Sequence, residues 1–318
     1  MRRIVGLIVI NIMLITTLSI VSPYFLTRAN LVVMADNIAL ETIILSGYAL
    51  LLIGGYFDLS VDGIVSLTGV IAGLLMVNGI VWYLAVGTSF LVSVSIGIFN
   101  GIVVTRFQVN GLIATLTTWW VCVGLSLGLT KAVPPYGFPE VFGILGQSHI
   151  LGFKSFVLYA IIIFVVLSIV LHCTKIGAWI YATGDNKITC EMMGINTARL
   201  GIGLYALMGT LAGLVGLILS SRLNASSPVA TDGMALRVVA ALVIGGVGLN
   251  GGTGTLIGGF LGLLIMHIFN NAVVQLGISP YYQKAILGTI LLVAVLSERL
   301  KFSFTKGRVS NVKEPEVT

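Results

Sequence analysis

An all-α, polytopic membrane bundle of about ten transmembrane helices is the fold this sequence predicts, and three observations predict it. Of 318 residues, 57% are hydrophobic and only 9% are charged, against roughly 25% charged in a soluble domain. With a mean hydropathy of +1.09, the chain has too little polar surface to coat a globule in water. Its 39 glycines suit membrane helices, where Gly is frequent.

Apolar runs of about 17–25 residues can cross a bilayer as helices. Such runs fall near 4–22, 37–54, 61–80, 82–105, 111–130, 155–173, 200–220, 235–248, 253–274 and 283–298. The eighth is short enough to be a broken or re-entrant segment instead. The first run, behind Arg2 and Arg3, has the charged start of a signal peptide. It lacks a small-x-small cleavage site and is long enough to span, so it reads as a retained helix.

Lys and Arg placement tests this order. With the N-terminus inside, the inner set is Arg2, Arg3, Arg106, Lys175, Lys187, Arg199, Arg299, Lys301, Lys306, Arg308 and Lys313. The outer set is Arg28, Lys131, Lys154, Arg222, Arg237 and Lys284. The bias runs in the direction that the positive-inside rule requires. The net charge of +6 therefore reads as a topology signal, not as a nucleic-acid footprint. Two longer loops fall outside, 131–153 with Pro134, Pro135 and Pro139, and 221–234.

The sequence also contains an internal echo. "IFNGIVV" (98–104) closes the fourth span and "IFNNAVV" (268–274) closes the ninth, which crosses in the opposite direction. Spans two to five and seven to ten would then be inverted repeats, a transporter plan with the pathway at the repeat interface. The alternative is coincidence in a chain rich in Ile and Val.

Several chemistries are excluded. "GVGLNG" (246–251) matches G-x-G-x-x-G, but no acidic residue follows at the spacing that holds a ribose. No G-x-x-x-x-G-K-[ST] phosphate loop occurs, so this chain is not expected to hydrolyse ATP. Cys122, Cys173 and Cys190 lack paired spacing, and His149, His172 and His267 are scattered; no disulfide frame, metal site or triad is expected. Gly254, Gly258 and Gly262 lie on one helix face and suit close helix packing.

Polar groups within apolar runs face a cavity or a partner. Asp36 and Glu41 lie on or near the second span, and Asp58, Ser60 and Asp62 flank the third. Asp58 reads first as a helix cap, with a substrate or proton site as the alternative. Asn100, Asn270 and Asn271 either bond across helices or line a polar path. Trp119 and Trp120 sit inside the fifth span, away from the interface that tryptophan favours. Packing explains them; a sugar path would also suit them, because an indole face complements the apolar face of a sugar ring.

The stretch "YATGDNKITCEMMGINTAR" (181–199) interrupts the apolar chain on the inner side. It predicts a short helix over 186–193, capped by Asp185, with Gly184 permitting the turn before it and Gly194 ending it. Ile188, Met192 and Met193 fall at helical spacing and form a small exposed apolar face. Such a face implies a partner surface; the bland alternative is a helix resting on lipid headgroups.

This segment resembles the coupling region of permease subunits of ATP-binding-cassette importers, in the ribose/sugar branch that also includes autoinducer-2 permeases. "GGYFDLSVDGIVSLTGVIAG" (54–73), "GIFNGIVVTRFQVNGLIATLTT" (97–118), "AALVIGGVGLNGGTGTLIGGFLG" (240–262) and "FNNAVVQLGISPYYQKAILGTILLVAVL" (269–296) extend the resemblance over about 50–300. Asp62 stands where that branch usually has Gly, and Asn110 where it often has Pro. Cys190-Glu191 replaces a commoner small-residue pair.

The resemblance implies a permease domain over 1–300, with a coupling segment at 174–199 and a polar cytoplasmic tail at 301–318. Two permease chains, identical or paired with a sister chain, would form a path for ribose or a similar sugar. Two ATPase subunits, carrying ATP-Mg, would grip Gly184, Asp185, Asn186, Ile188, Glu191, Met192, Met193, Gly194, Ile195 and Asn196. A substrate-binding protein would dock outside, with Lys131, Arg222 and Arg237 as candidate contacts. Path candidates are Asp58, Ser60, Asn100, Trp119, Trp120, Asn270 and Asn271. No cofactor is expected on this chain. The expected location is the bacterial inner membrane, with both termini cytoplasmic. The rival reading is a stand-alone ion-coupled carrier working through Asp36, Glu41 or Asp58.

Overall fold

The computed structural model describes residues 2–277 apart from 151, 230 and 232, together with residues 282, 285, 288, 289 and 292. Eleven α-helices are described. The first five are α1 (Arg2–Val21), α2 (Arg28–Ile53), α3 (Val61–Val77), α4 (Trp82–Thr105) and α5 (Gly111–Thr130). Helix α6 (Ser155–Cys173) is followed by two short ones, α7 (Lys175–Asp185) and α8 (Lys187–Met192). Helices α9 (Thr197–Leu223), α10 (Met234–Gly245) and α11 (Leu256–Gln275) complete the set.

Seven of these are long and apolar enough to cross a membrane: α1, α2, α4, α5, α6, α9 and α11. Nine of the ten expected spans have a helix, and α4, α5 and α6 agree with them to the residue. The tenth, 283–298, and the tail 301–318 lie outside the described residues except for positions 285, 288, 289 and 292. The eighth span is α10, whose 12 residues reach only about 18 Å. It starts after Gly233 and stops at Gly246, both with positive φ, a backbone that glycine adopts freely. It is a broken segment buried in the core, in line with its short apolar run.

The core is built around α2 and α9. Ile43, Ile44, Leu45, Tyr48 and Leu51 of α2 are buried together with Tyr205, Met208, Ala212 and Val215 of α9. Small residues set the close approaches. A Cβ at Gly209 of α9 would lie 2.5 Å from the Ser93 carbonyl of α4, and one at Gly262 of α11 would lie 2.0 Å from the Ala241 carbonyl of α10. Of the glycine stripe, Gly258 and Gly262 pack on α10, while Gly254 sits in the turn before α11.

The two longer loops meet at one end of the bundle. Tyr136 bridges Ala225, and Asn224 accepts from the Phe138 N–H at 2.9 Å. Loop 131–153 also carries a 3-10 turn (Glu140–Leu145) and leads into a two-residue hairpin, His149–Ile150 with Phe153–Lys154. The two "IFN" stretches occupy matching places, in the last turns of α4 and α11.

Candidate functional site

The 174–199 segment folds as two short helices. Thr174 caps α7, accepting from the Gly177 N–H. Asn186 caps α8, its side chain accepting from the Thr189 N–H at 3.0 Å. The expected Asp185 cap is thus corrected by one residue: Asp185 ends α7, and its neighbour has the extended backbone a cap requires. Gly194, with φ +83, ends the element as expected. Ile195 then returns its N–H to the Cys190 carbonyl, and Asn196 caps α9 through the Arg199 N–H. Glu191 accepts from the Thr197 hydroxyl, tying α8 to the start of α9.

Cys190 points inward and is buried, whereas Ile188, Met192 and Met193 are 68%, 83% and 76% exposed. Six residues cannot form a stable helix alone. This one is held by its caps and presents an apolar face to the outside.

The base of the segment is wedged into the bundle. Gly184 belongs to the last turn of α7 and not to a free turn. A Cβ there would sit 1.9 Å from the Ile53 carbonyl and 2.5 Å from the Gly252 nitrogen. Gly252 donates its N–H to the Ile53 carbonyl at 2.8 Å, and the Tyr181 hydroxyl donates to the Gly254 carbonyl at 2.7 Å. Backbone from the end of α2, the end of α7 and the α10–α11 turn therefore meets without intervening side chains.

A polar knot lies in the turn between α2 and α3. Asp58 accepts from the Ser60 N–H at 2.8 Å and from its hydroxyl at 2.5 Å. Asn100 of α4 donates to the Ser60 hydroxyl at 2.9 Å and accepts from Thr118 of α5 at 2.7 Å. Tyr48 and Tyr205 donate to the Asp58 and Phe57 carbonyls. Asp58 therefore shapes the turn into α3 and caps no free helical N–H; Asp58, Ser60 and Asn100 form one buried brace across three helices.

A second polar group sits at the other end of α2. Asp36 meets Lys154 at 2.6 Å and Arg222 at 3.4 Å. Glu41 meets Arg237 at 2.9 Å and His267 at 3.2 Å. Asn30 and Asn271 exchange hydrogen bonds at 2.6 and 3.2 Å. Glu41, Arg222, Arg237, His267, Asn30 and Asn271 border a cavity of about 430 Å³ between α2, α9, α10 and α11. A larger space of about 770 Å³ between α4 and α5 is lined mainly by Leu, Val and Ile.

The path candidates are therefore not brought to one place. Asp58, Ser60 and Asn100 form the brace, and Asn270 and Asn271 line the 430 Å³ cavity. Trp119 packs over Gly63 of α3, while Trp120 is exposed on the outer face of α5. Of the docking candidates, Arg222 and Arg237 also line that cavity and engage internal carboxylates; Lys131 is exposed at the end of α5. The sequence reading missed Asp36, Glu41 and His267 as a group with their cationic partners. Two carboxylates in an apolar run were the available signal.

The bundle and its two ends define a polytopic helical membrane protein, with an apolar handle at one end and a charge-braced cavity at the other. Residues 31–295 match the family described as branched-chain amino acid transport system / permease component, and the chain belongs to that family. The chain is 33% identical over 290 residues to the ribose import permease protein RbsC of Bacillus subtilis, covering 91% of this chain and 90% of that protein. It is 34% identical over 297 residues to RbsC of Escherichia coli K12, covering 91% and 92%. It is 32% identical over 296 residues to the L-arabinose ABC transporter permease protein AraH of Azospirillum brasilense, covering 93% and 87%. No solved structure gives a significant match.

Proposed function

We propose that this chain is the membrane permease subunit of an ATP-driven importer and carries a sugar, ribose or a similar pentose or hexose. Full-length likeness to two ribose permeases and an arabinose permease supports the substrate class. The observation that carries the coupling reading is the exposed Ile188, Met192 and Met193 face on a segment whose base is wedged at Gly184. An apolar patch of this kind needs a partner, and a wedged base lets displacement of the patch enter the bundle.

ATP-Mg is bound and hydrolysed on separate ATPase chains, two per importer. Each ATPase receives the 184–196 element of one permease chain in a surface groove. ATPase closure pushes on α8, and the push passes through Gly184 to the end of α2 and the α10–α11 turn. The same three helices carry Glu41, Arg237 and His267 at the opposite end. One displacement can therefore reach both ends of the path. A substrate-binding protein delivers sugar at that opposite end, where Lys131 is exposed. A second permease chain, the same or a sister, completes the path in the bacterial inner membrane, with the 174–199 segment and both termini cytoplasmic.

A stand-alone carrier is a poorer reading. Asp36 and Glu41 are held by Lys154, Arg222, Arg237 and His267, and such a carrier has no use for an exposed coupling face. The test is mass spectrometry of the proteins that co-purify after gentle extraction. A stoichiometric ATPase, lost in the double variant Met192→Asp and Met193→Asp, is the expected result. An ATPase retained at full stoichiometry by that variant would remove the handle from the account.

A further inference from the structure

The strongest unassigned feature is the 430 Å³ cavity at the end of the bundle opposite the 174–199 segment. Its volume falls in the range of roughly 300–1,000 Å³ typical of small-molecule sites. Its position follows from the helices themselves. Asn30 and Asn37 lie in the first half of α2 and Glu41 at its middle, whereas Ile53, which touches the coupling segment, is its last residue. His267 and Asn270 lie late in α11, whose first residues follow the glycine junction.

The wall combines two kinds of polar group. The ionisable groups answer one another: Arg237 meets Glu41 at 2.9 Å, His267 meets Glu41 at 3.2 Å, and Arg222 meets Asp36 at 3.4 Å. A charged solute would have to compete with those pairs. The amides differ. Asn37 accepts from Arg222 at 3.3 Å through its oxygen, and its NH2 group has no hydrogen-bond partner among the described residues. Asn270 lines the cavity with no side-chain hydrogen bond to a described residue. An amide offers both donors and acceptors, the complement of a ring bearing several hydroxyls.

We propose that this cavity is a selectivity station of the permease itself, in which Asn37 and Asn270 hydrogen-bond an uncharged, polyhydroxylated ring against a wall braced by Glu41, Arg237 and His267. The proposal rests on the sugar-permease reading above and adds a site to it. Selection is then shared between the binding protein and the membrane chain. The charge pairs reject a zwitterion, such as a free amino acid, because its ammonium and carboxylate find no unpaired counter-ion among the described residues of the wall.

The test uses the whole importer, with its ATPase and binding protein, in proteoliposomes. Labelled ribose is supplied at saturation, with leucine and ribonate as zwitterionic and anionic competitors, and sugar imported per ATP hydrolysed is measured. Asn37→Leu and Asn270→Leu, which keep the branched shape and delete the amide, should each lower that ratio about five- to tenfold, the effect of losing one hydrogen bond. Ile12→Leu on the exposed side of α1 serves as the comparison. Unchanged ratios in both Asn variants would overturn the station.

A second measurement covers a variant that fails to assemble. Asn270→Cys in a Cys173→Ser chain is labelled with a thiol reagent in the presence and absence of ribose. Ribose should slow labelling, and equal rates would overturn the proposal. Wild-type importer that carries leucine and no sugar would instead sink the sugar reading before any variant is compared.

Discussion

Asp62 of α3 accepts from the Ala235 N–H in the first turn of α10 at 3.0 Å, its other oxygen taking the Gly233 N–H at 2.9 Å. A carboxylate on one helix thus closes the N-terminus of another, where free N–H groups and the helix dipole favour negative charge. The cap gives the acid at position 62 a structural role. Removing it by Asp62→Ala should cost about 1–2 kcal/mol. Asp62→Asn, with one acceptor in place of two, should fall between. Thermal unfolding of the purified chain checks the order; an Ala variant as stable as wild type would deny the cap its role.

Glu41 predicts a different pattern. It is buried against Arg237 and His267, so Arg237→Met should destabilise by about 3–5 kcal/mol by leaving a charge buried and poorly paired. Glu41→Met added to Arg237→Met should recover most of that loss, because an apolar pair replaces an ionic one. A double-mutant cycle read by denaturation measures the recovery. Additive losses would mean that the pair acts independently.

Gly184 tests the wedge. Gly184→Ala places a methyl 1.9 Å from the Ile53 carbonyl, and backbone cannot yield as a flexible side chain can. Overpacking of this kind costs about 1–3 kcal/mol. Sugar uptake should fall more than stability does, because the shift lies where motion enters α2. Gly203, whose added Cβ meets nothing within 4 Å, provides the control: Gly203→Ala should leave both within error.

Met192 and Met193 give the opposite pairing of effects. Both are exposed, so replacing them with Asp should change chain stability by no more than about 0.5 kcal/mol. ATPase binding should nevertheless be lost. A large drop in stability would show that the face packs within the chain.

Much of this was legible in the sequence, and the failures have physical causes. The boundaries of α4, α5 and α6 follow directly from unbroken apolar runs. The expected second span starts at 37, just after Asp36, whereas the helix begins at Arg28. The cations that let it continue, Lys154, Arg222 and Arg237, lie far along the chain, and no local pattern announces them. The exposed face of α8 was legible from helical spacing alone. Its cap is Asn186 and not the expected Asp185 because both are good caps, and only the backbone chooses between them. The sequence suggests Gly184 as a turn former, whereas its job is to let three backbones touch. Of the cavity, Glu41, Asn270, Asn271, Arg222 and Arg237 stand out in the sequence, but in three unrelated roles, since four helices assemble it.

The central claim is that the 184–196 element couples a partner ATPase to movement of sugar through this chain. ATP-driven uptake of labelled ribose into proteoliposomes, compared between wild type and the Met192→Asp, Met193→Asp double variant, tests it most directly. The account predicts uptake by wild type only when ATPase, ATP and binding protein are all present, and none by a variant chain that is folded and inserted. Uptake by the chain alone under an ion gradient, undiminished in the variant, would contradict it.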